Sequence, residues 1–244
     1  MIRLALVAVS KTMMRQISRR CVLATLGSAW LLRPVARAQP VAAPLNFTVL
    51  RDGAPIGTHR VEFKQEGDTL AVDISIDMVV KFALIPVYRY MHRSREIWRQ
   101  GLLQSLEART NDDGTRTEVR ARRKSDGLAV EGSGGSFLAP TSIEPTSYWH
   151  EDMTLRSRLL DTQNGVIVDV TARKTGIRRA TIAGREIDVR SYELSGDLTS
   201  RLGYSAAGEW VDLAFLARGS RIVYQRDAPP AAATTPSGAV RHAS

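Results

Sequence analysis

Leu70-Ala71-Val72-Asp73-Ile74-Ser75-Ile76-Asp77-Met78 alternates without a break. Leu70, Val72, Ile74, Ile76 and Met78 form one set; Ala71, Asp73, Ser75 and Asp77 form the other. A period of two puts the sets on opposite faces of an extended strand, the first toward a core and the second toward water. Val166, Val168 and Val170 repeat the pattern, as do Ile187 and Val189. Turn signals separate such runs: Asp52-Gly53, Gly67-Asp68, Asp113-Gly114, Asp126-Gly127, Asn164-Gly165, Ala183-Gly184, Ala207-Gly208 and Arg218-Gly219. Short alternating runs between glycine turns predict antiparallel strands joined by hairpins. There is no βαβ spacing and no fixed-period repeat, which excludes a doubly wound fold, a propeller and a solenoid. The expected fold is all-β: a single curved antiparallel sheet or partly closed β-barrel with at most one short helix. Ser94 to Arg109 is rich in helix formers, but the clean alternation from Tyr88 to Trp98 and the break at Gly101 assign it to strands. The one helix is expected within Glu151 to Leu160, after Pro145.

The chain has 244 residues and a formal net charge of +9. Arg3, Lys11, Arg15, Arg19, Arg20, Arg33 and Arg37 lie within residues 1–38, which contain no acid. Seven of the nine net charges therefore belong to that segment, leaving +2 for residues 39–244. A near-neutral body does not call for a nucleic-acid partner. Ser18-Arg19-Arg20-Cys21-Val22-Leu23 is a twin-arginine pattern, Val22 to Leu32 is an apolar run too short to span a membrane, and Ala36-Arg37-Ala38 offers small residues at a cleavage site. Residues 1–38 thus read as a Tat-type signal peptide cleaved after Ala38, which sends the protein to the periplasm. Met13 and Met14 are alternative starts. Residues 39–44 read as a linker, 45–226 as one antiparallel β domain, and the Pro/Ala-rich 227–244 as a disordered tail. The mature segment contains no transmembrane stretch. Its lack of cysteine excludes a disulfide or a thiolate nucleophile, since the sole cysteine is Cys21. Nothing in the sequence fixes an oligomeric state.

The most informative stretch is Tyr88-Arg-Tyr-Met-His-Arg-Ser-Arg-Glu-Ile-Trp98. As a strand, it puts Tyr88, Tyr90, His92, Ser94, Glu96 and Trp98 on one face. Aromatic planes mixed with hydroxyls, an imidazole and a carboxylate suit a wall that stacks a ligand and hydrogen-bonds its polar end; a wet sheet surface covered by a loop is the plainer alternative. His92 and Glu96 lie roughly 13 Å apart along a strand, so neither serves the other as a direct partner. Tyr148, Trp149 and His150 follow Pro145 in a connection able to close over that face; capping one end of the sheet is the structural alternative. Arg116, Arg120, Arg122, Arg123 and Lys124 read as a charged edge strand. There is no Gly-x-Ser-x-Gly elbow, no phosphate-binding loop and no His-Glu-x-x-His. His59, His92 and His150 are too dispersed to indicate a metal site. No cofactor or metal is expected.

Gly57-Thr-His-Arg-Val-Glu-Phe63, Tyr88-Arg-Tyr-x-His92, Glu96-Ile-Trp-Arg99, Ala108-Arg-Thr-Asn-Asp-Asp-Gly114, Ser147-Tyr-Trp149 and Trp210-Val-Asp-Leu-Ala-Phe215 occur in this order. Together they resemble an uncharacterised family of exported bacterial proteins, DUF family 6134, over about residues 45–226. The resemblance implies an exported, sheet-rich domain and no catalytic residues. The function expected is non-catalytic binding of an amphipathic ligand, a lipid or another envelope small molecule, at Tyr88, Tyr90, His92, Glu96, Trp98, Tyr148, Trp149 and His150. Alternatives are a hydrolase-like enzyme using His92 or His150 with Glu96, and an envelope assembly factor offering a sheet edge.

Overall fold

The structure is a computed structural model that describes residues 42–228, apart from residue 183. The signal peptide expected at 1–38, part of the linker at 39–44 and most of the tail at 227–244 lie outside the described residues.

Fifteen strands follow in chain order: β1 (Leu45–Arg51), β2 (Ala54–Glu66), β3 (Thr69–Phe82), β4 (Ile85–Arg99), β5 (Leu102–Asp112), β6 (Thr115–Arg123), β7 (Leu128–Gly132), β8 (Gly135–Ala139), β9 (Glu144–Pro145), β10 (Arg158–Leu160), β11 (Ile167–Ile182), β12 (Arg185–Gly196), β13 (Ser200–Ser205), β14 (Trp210–Ala217) and β15 (Ser220–Arg226). They form one sheet in the order β8-β7-β6-β5-β4-β3-β2-β1-β15-β14-β13-β12-β11-β10-β9. Two meanders are therefore welded where β1 pairs with β15, Phe47 lying opposite Arg226. Every pairing is antiparallel except the short β9–β10 contact. The alternation around Val72 becomes β3 as expected, with Val72 and Ile74 buried and Leu70, Ile76 and Met78 packed against the core.

The sheet curls because its strands twist and because bulges interrupt the register at Val49/Leu50, Val80/Lys81, Ile97/Trp98, Lys174/Gly176 and Gly203/Tyr204. The bulge opposite Trp98 makes Leu103 face inward although Leu106 and Ala108 set the opposite parity. Curling gathers the inner rows of many strands into one core that contains Phe47, Val61, Trp98, Leu106, Val119, Leu128, Leu159, Tyr204, Trp210 and Tyr224.

The sheet is not closed by strand pairing: β8 and β9 remain its edges. The turns near those edges meet instead. The Ser133 amide and hydroxyl both donate to the Asn164 carbonyl, at 2.8 and 2.7 Å, and the Thr117 hydroxyl donates to the Gln163 carbonyl at 2.6 Å. Gly132 and Gly165 make the approach possible: a β-carbon on Gly132 would lie 2.8 Å from the Gly165 α-carbon, inside any normal contact.

Two expectations are corrected. The basic strand is not an edge: β6 lies between β5 and β7, with Val119 and Ala121 inward. Two of its outward arginines are ion-paired on the surface instead, Arg122 with Glu107 on β5 and Arg120 with Glu118 on the same strand. The one short helix expected within Glu151 to Leu160 is present as a 3-10 turn, Glu151–Leu155, but its extent is corrected, since Arg158–Leu160 is strand β10. The turn is held by tertiary contacts: Glu151 accepts from Arg190 Nε at 2.8 Å and from the Tyr192 hydroxyl at 3.0 Å, both on β12. No helix among the described residues is long and apolar enough to cross a membrane.

Candidate functional site

The inner row of β4 runs Tyr88, Tyr90, His92, Ser94, Glu96 and Trp98, and the last five of these are buried. The structure divides the eight candidate residues between two layers. Tyr88, Tyr90, His92 and Tyr148 line a cavity of about 460 Å3. Glu96, Trp98, Trp149 and His150 do not reach it and form a separate cluster, in which Glu96 and Trp98 are buried and Trp149 and His150 half-buried.

In that cluster the carboxylate of Glu96, fully buried, accepts from Trp98 Nε1 at 2.8 Å and from Trp149 Nε1 at 3.0 Å, both on Oε2. Its Oε1 has no partner. Burial raises the Glu96 carboxyl above the usual carboxylate range against the pull of the indole bonds. The indoles pack edge to face at 5.5 Å. Residues 146–150 cross the interior of the curled sheet: Trp149 meets Phe63 on β2, Tyr148 meets Trp210 on β14, and the Tyr204 hydroxyl donates to the Tyr148 carbonyl at 2.8 Å. Tyr148 holds a left-handed φ of 65°, a costly conformation for an aromatic residue, imposed by these contacts. His150 Nδ1 lies 3.6 Å from Glu144, and that carboxylate raises the imidazole's affinity for a proton. His150 and Glu96 are not hydrogen-bonded partners; nor are His92 and Glu96.

The cavity is mostly apolar. Ile56, Ile74, Ile76, Met78, Val80, Val87, Leu213, Phe215 and Ile222 contribute to its wall, with Tyr224. A few polar groups interrupt it. His92 Nδ1 lies 2.9 Å from the Thr110 hydroxyl on neighbouring β5, and burial lowers its pKa to about 4. His59 on β2 is 2% exposed, and neither ring nitrogen has a partner. Burial, helped by His92, lowers its pKa to about 3, so the ring is neutral. Ser94 Oγ on β4 is likewise buried and unpartnered. Burial pushes the Tyr148 phenol up to about 12. At the rim, the Arg218 guanidinium stacks 5.3 Å from the Tyr88 ring, and burial and Asp112 raise that tyrosine's pKa.

His59 stands out in the sequence only as one of three dispersed histidines. Its real signal was its row: Gly57, His59, Val61 and Phe63 alternate, which sets the imidazole among core residues. Arg51, Arg218 and Tyr224 carry no such local signal, because their place on the wall depends on the β1–β15 and β14–β15 pairings. No group of three or more His, Cys, Asp or Glu able to hold a metal occurs among the described residues.

These features define a barrel-like β domain with an internal cavity. The sequence profile of the "Domain of unknown function (DUF6134)" family matches residues 47–227, and the chain belongs to that family. Among solved structures it is similar to a β-barrel-like protein of domain of unknown function DUF1849 from Brucella abortus. That likeness has a TM-score of 0.55 at 8% identity, covering 76% of this chain and 95% of the other, and it concerns the fold alone. No curated protein shows significant sequence similarity to the chain.

Proposed function

We propose that this domain binds an amphipathic small molecule in the cavity, and that it does so in the periplasm after residues 1–38 are removed. The observation that carries the reading is His59: a buried, neutral imidazole with two unsatisfied nitrogens, set in an apolar wall. An unpaired buried polar group is costly, and a ligand hydroxyl, amide or carbonyl reaching it would remove that cost. The cavity volume falls in the range of small-molecule sites. The apolar wall accommodates the hydrocarbon part.

The other readings have weaker support. Glu96 is committed to two indoles, which leaves it poorly placed to assist a histidine in hydrolysis. An assembly factor would offer a sheet edge, yet the edges β8 and β9 are only five and two residues long. Short edges give a partner strand little to pair with.

The test is to recover the protein from its producing cells, denature it and identify the released small molecules by mass spectrometry. An apolar molecule with one hydrogen-bonding group is expected at near-unit occupancy. Nile red should bind the emptied protein saturably, and Ile76→Trp, which fills the cavity, should abolish that binding without loss of fold. Absence of both a co-purifying molecule and saturable dye binding sinks the reading. For the location, Arg19→Lys with Arg20→Lys should leave precursor in the cytoplasm; normal export of that variant removes the Tat route.

A further inference from the structure

The hairpin joining β3 to β4 ends in Lys81-Phe82-Ala83-Leu84-Ile85-Pro86-Val87. Its large apolar side chains face solvent: Phe82 is 75% exposed, Leu84 89% and Ile85 65%. Its two turn residues, Ala83 and Leu84, both hold left-handed conformations, with φ of 45° and 72°. Tight hairpins of this kind favour Asn or Gly there, which tolerate positive φ with least strain. This tip instead accepts backbone strain and exposes a leucine. Neither feature helps the isolated fold.

We infer that the hairpin tip inserts into the surface of an anionic lipid bilayer and sets the cavity mouth against it. Charge favours that occupant. From Met78 to Met91 the only ionisable groups besides tyrosine are Lys81 and Arg89, so this end of the hairpin is basic; the nearest acids are Asp77 below it on β3 and Asp113, whose turn bonds the Arg89 backbone. Cations beside an apolar tip are attracted to anionic headgroups while the apolar side chains enter the acyl boundary. Position favours it too. Val80 and Val87, at the base of the tip, line the cavity, and Arg218 stacks on Tyr88 at the same rim. The apolar surface therefore runs from the tip into the cavity, so an amphiphile could pass between bilayer and cavity without crossing water. This last step rests on the ligand-binding reading; insertion of the tip does not.

The experiment uses the full chain in a Cys21→Ser background, with a bimane label on Leu84→Cys or, as a control, on Leu138→Cys of β8, which is also exposed. Vesicles contain equal parts of phosphatidylglycerol and brominated phosphatidylcholine. Bromine quenching is expected at Leu84 and several-fold less at Leu138, and it should weaken when phosphatidylglycerol is left out. Tethering through residues 1–38 would not distinguish the two labels. Phe82→Ser with Ile85→Ser should weaken vesicle binding by roughly tenfold for each side chain lost. Equal quenching at both labels, or vesicle binding indifferent to the tip variant, overturns the proposal. A tip-dependent dimer in sedimentation velocity, without quenching of the Leu84 label, assigns the tip to a second copy and overturns it equally. Nile red binding measured without vesicles should persist in the tip variant. Its absence from the wild type would defeat the ligand reading while leaving the quenching result to decide on insertion.

Discussion

Glu96 shows how one residue can be held for packing and still carry a cost. Its Oε2 collects two indole N–H bonds, while Oε1 is buried and unpaired. Its folded pKa is raised, so the native state holds its proton more tightly than the unfolded chain. Its favourable share is present below the unfolded value near 4.5 and is lost as pH rises through the folded value. Glu96→Gln keeps an acceptor for both indoles and has no charge to bury. Its melting temperature should exceed that of the wild type at neutral pH, with the gap shrinking toward pH 4. A large loss at neutral pH would show that the ionised carboxylate stabilises the cluster. His59 and His92 have the opposite sign. Their folded pKa values of about 3 and about 4 lie below the unfolded 6.5, so their share of stability is present above pH 6.5 and is lost as pH falls through the folded values. Each accounts for roughly 3 kcal/mol or more across that window. His92→Gln should flatten the acid side of the stability curve measured by urea melts at stepped pH; an unchanged slope would mean that His92 charges without penalty.

At the scale of elements, glycines decide where the curled sheet meets itself. Gly165 has φ of 71°, and a β-carbon there would lie 2.9 Å from the Gly132 α-carbon and 3.2 Å from a Val119 methyl. Gly165→Ala should cost about 1–3 kcal/mol, from the disfavoured φ and the steric overlap together. Hydrogen exchange at the Ser133 amide, which bonds across the seam, should accelerate in this variant more than exchange at the centre of β3. Unaltered Ser133 exchange would show that the contact contributes nothing to closure. Asn164-Gly165 was legible in the sequence as a turn, but its contact with Gly132 was not. The same division runs through the molecule. Alternation located β3, the inner row of β4 and β11, and dipeptide signals marked eight strand junctions. The Ala83-Leu84 turn was silent because it uses no glycine. The inward switch of Leu103 was hidden because a bulge breaks the period on which the reading depends. The candidate site was half legible for a related reason: strand parity put Tyr88 to Trp98 on one face, but the layering of that face is set by residues 146–150, and Glu96 and Trp149 are 53 positions apart.

At the scale of the whole molecule, the strand order has a simple consequence. Read across the sheet from β9 to β8, it is β9 through β15 followed by β1 through β8, with every neighbour consecutive in sequence except β1 and β15. That one junction brings Phe47 opposite Arg226, and the Asp227 amide donates to the Asn46 carbonyl at 2.8 Å. It is also central to the core: the Phe47 ring lies 4.1 Å from Trp210, and Phe47 is fully buried. Folding must therefore close nearly the full length of the domain to make a pairing that the core requires, and such non-local pairings slow folding. A circular permutant removes this demand. Residue 228 can be joined to residue 45 through a short hairpin loop, because the β1–β15 register places those ends side by side. New ends can be opened between Thr141 and Ser142, which are exposed in the connection from β8 to β9. In the rearranged chain every strand neighbour is consecutive in sequence, and the β1–β15 pairing becomes a local hairpin. This chain should refold faster than the unpermuted residues 42–228 in stopped-flow tryptophan fluorescence. Its stability should fall only by what the tether between β8 and β9 contributes. Slower refolding of a permutant that reaches the native state would mean that β1–β15 closure is not limiting. It would place the barrier instead in threading residues 146–150, with Tyr148 and Trp149, through the interior.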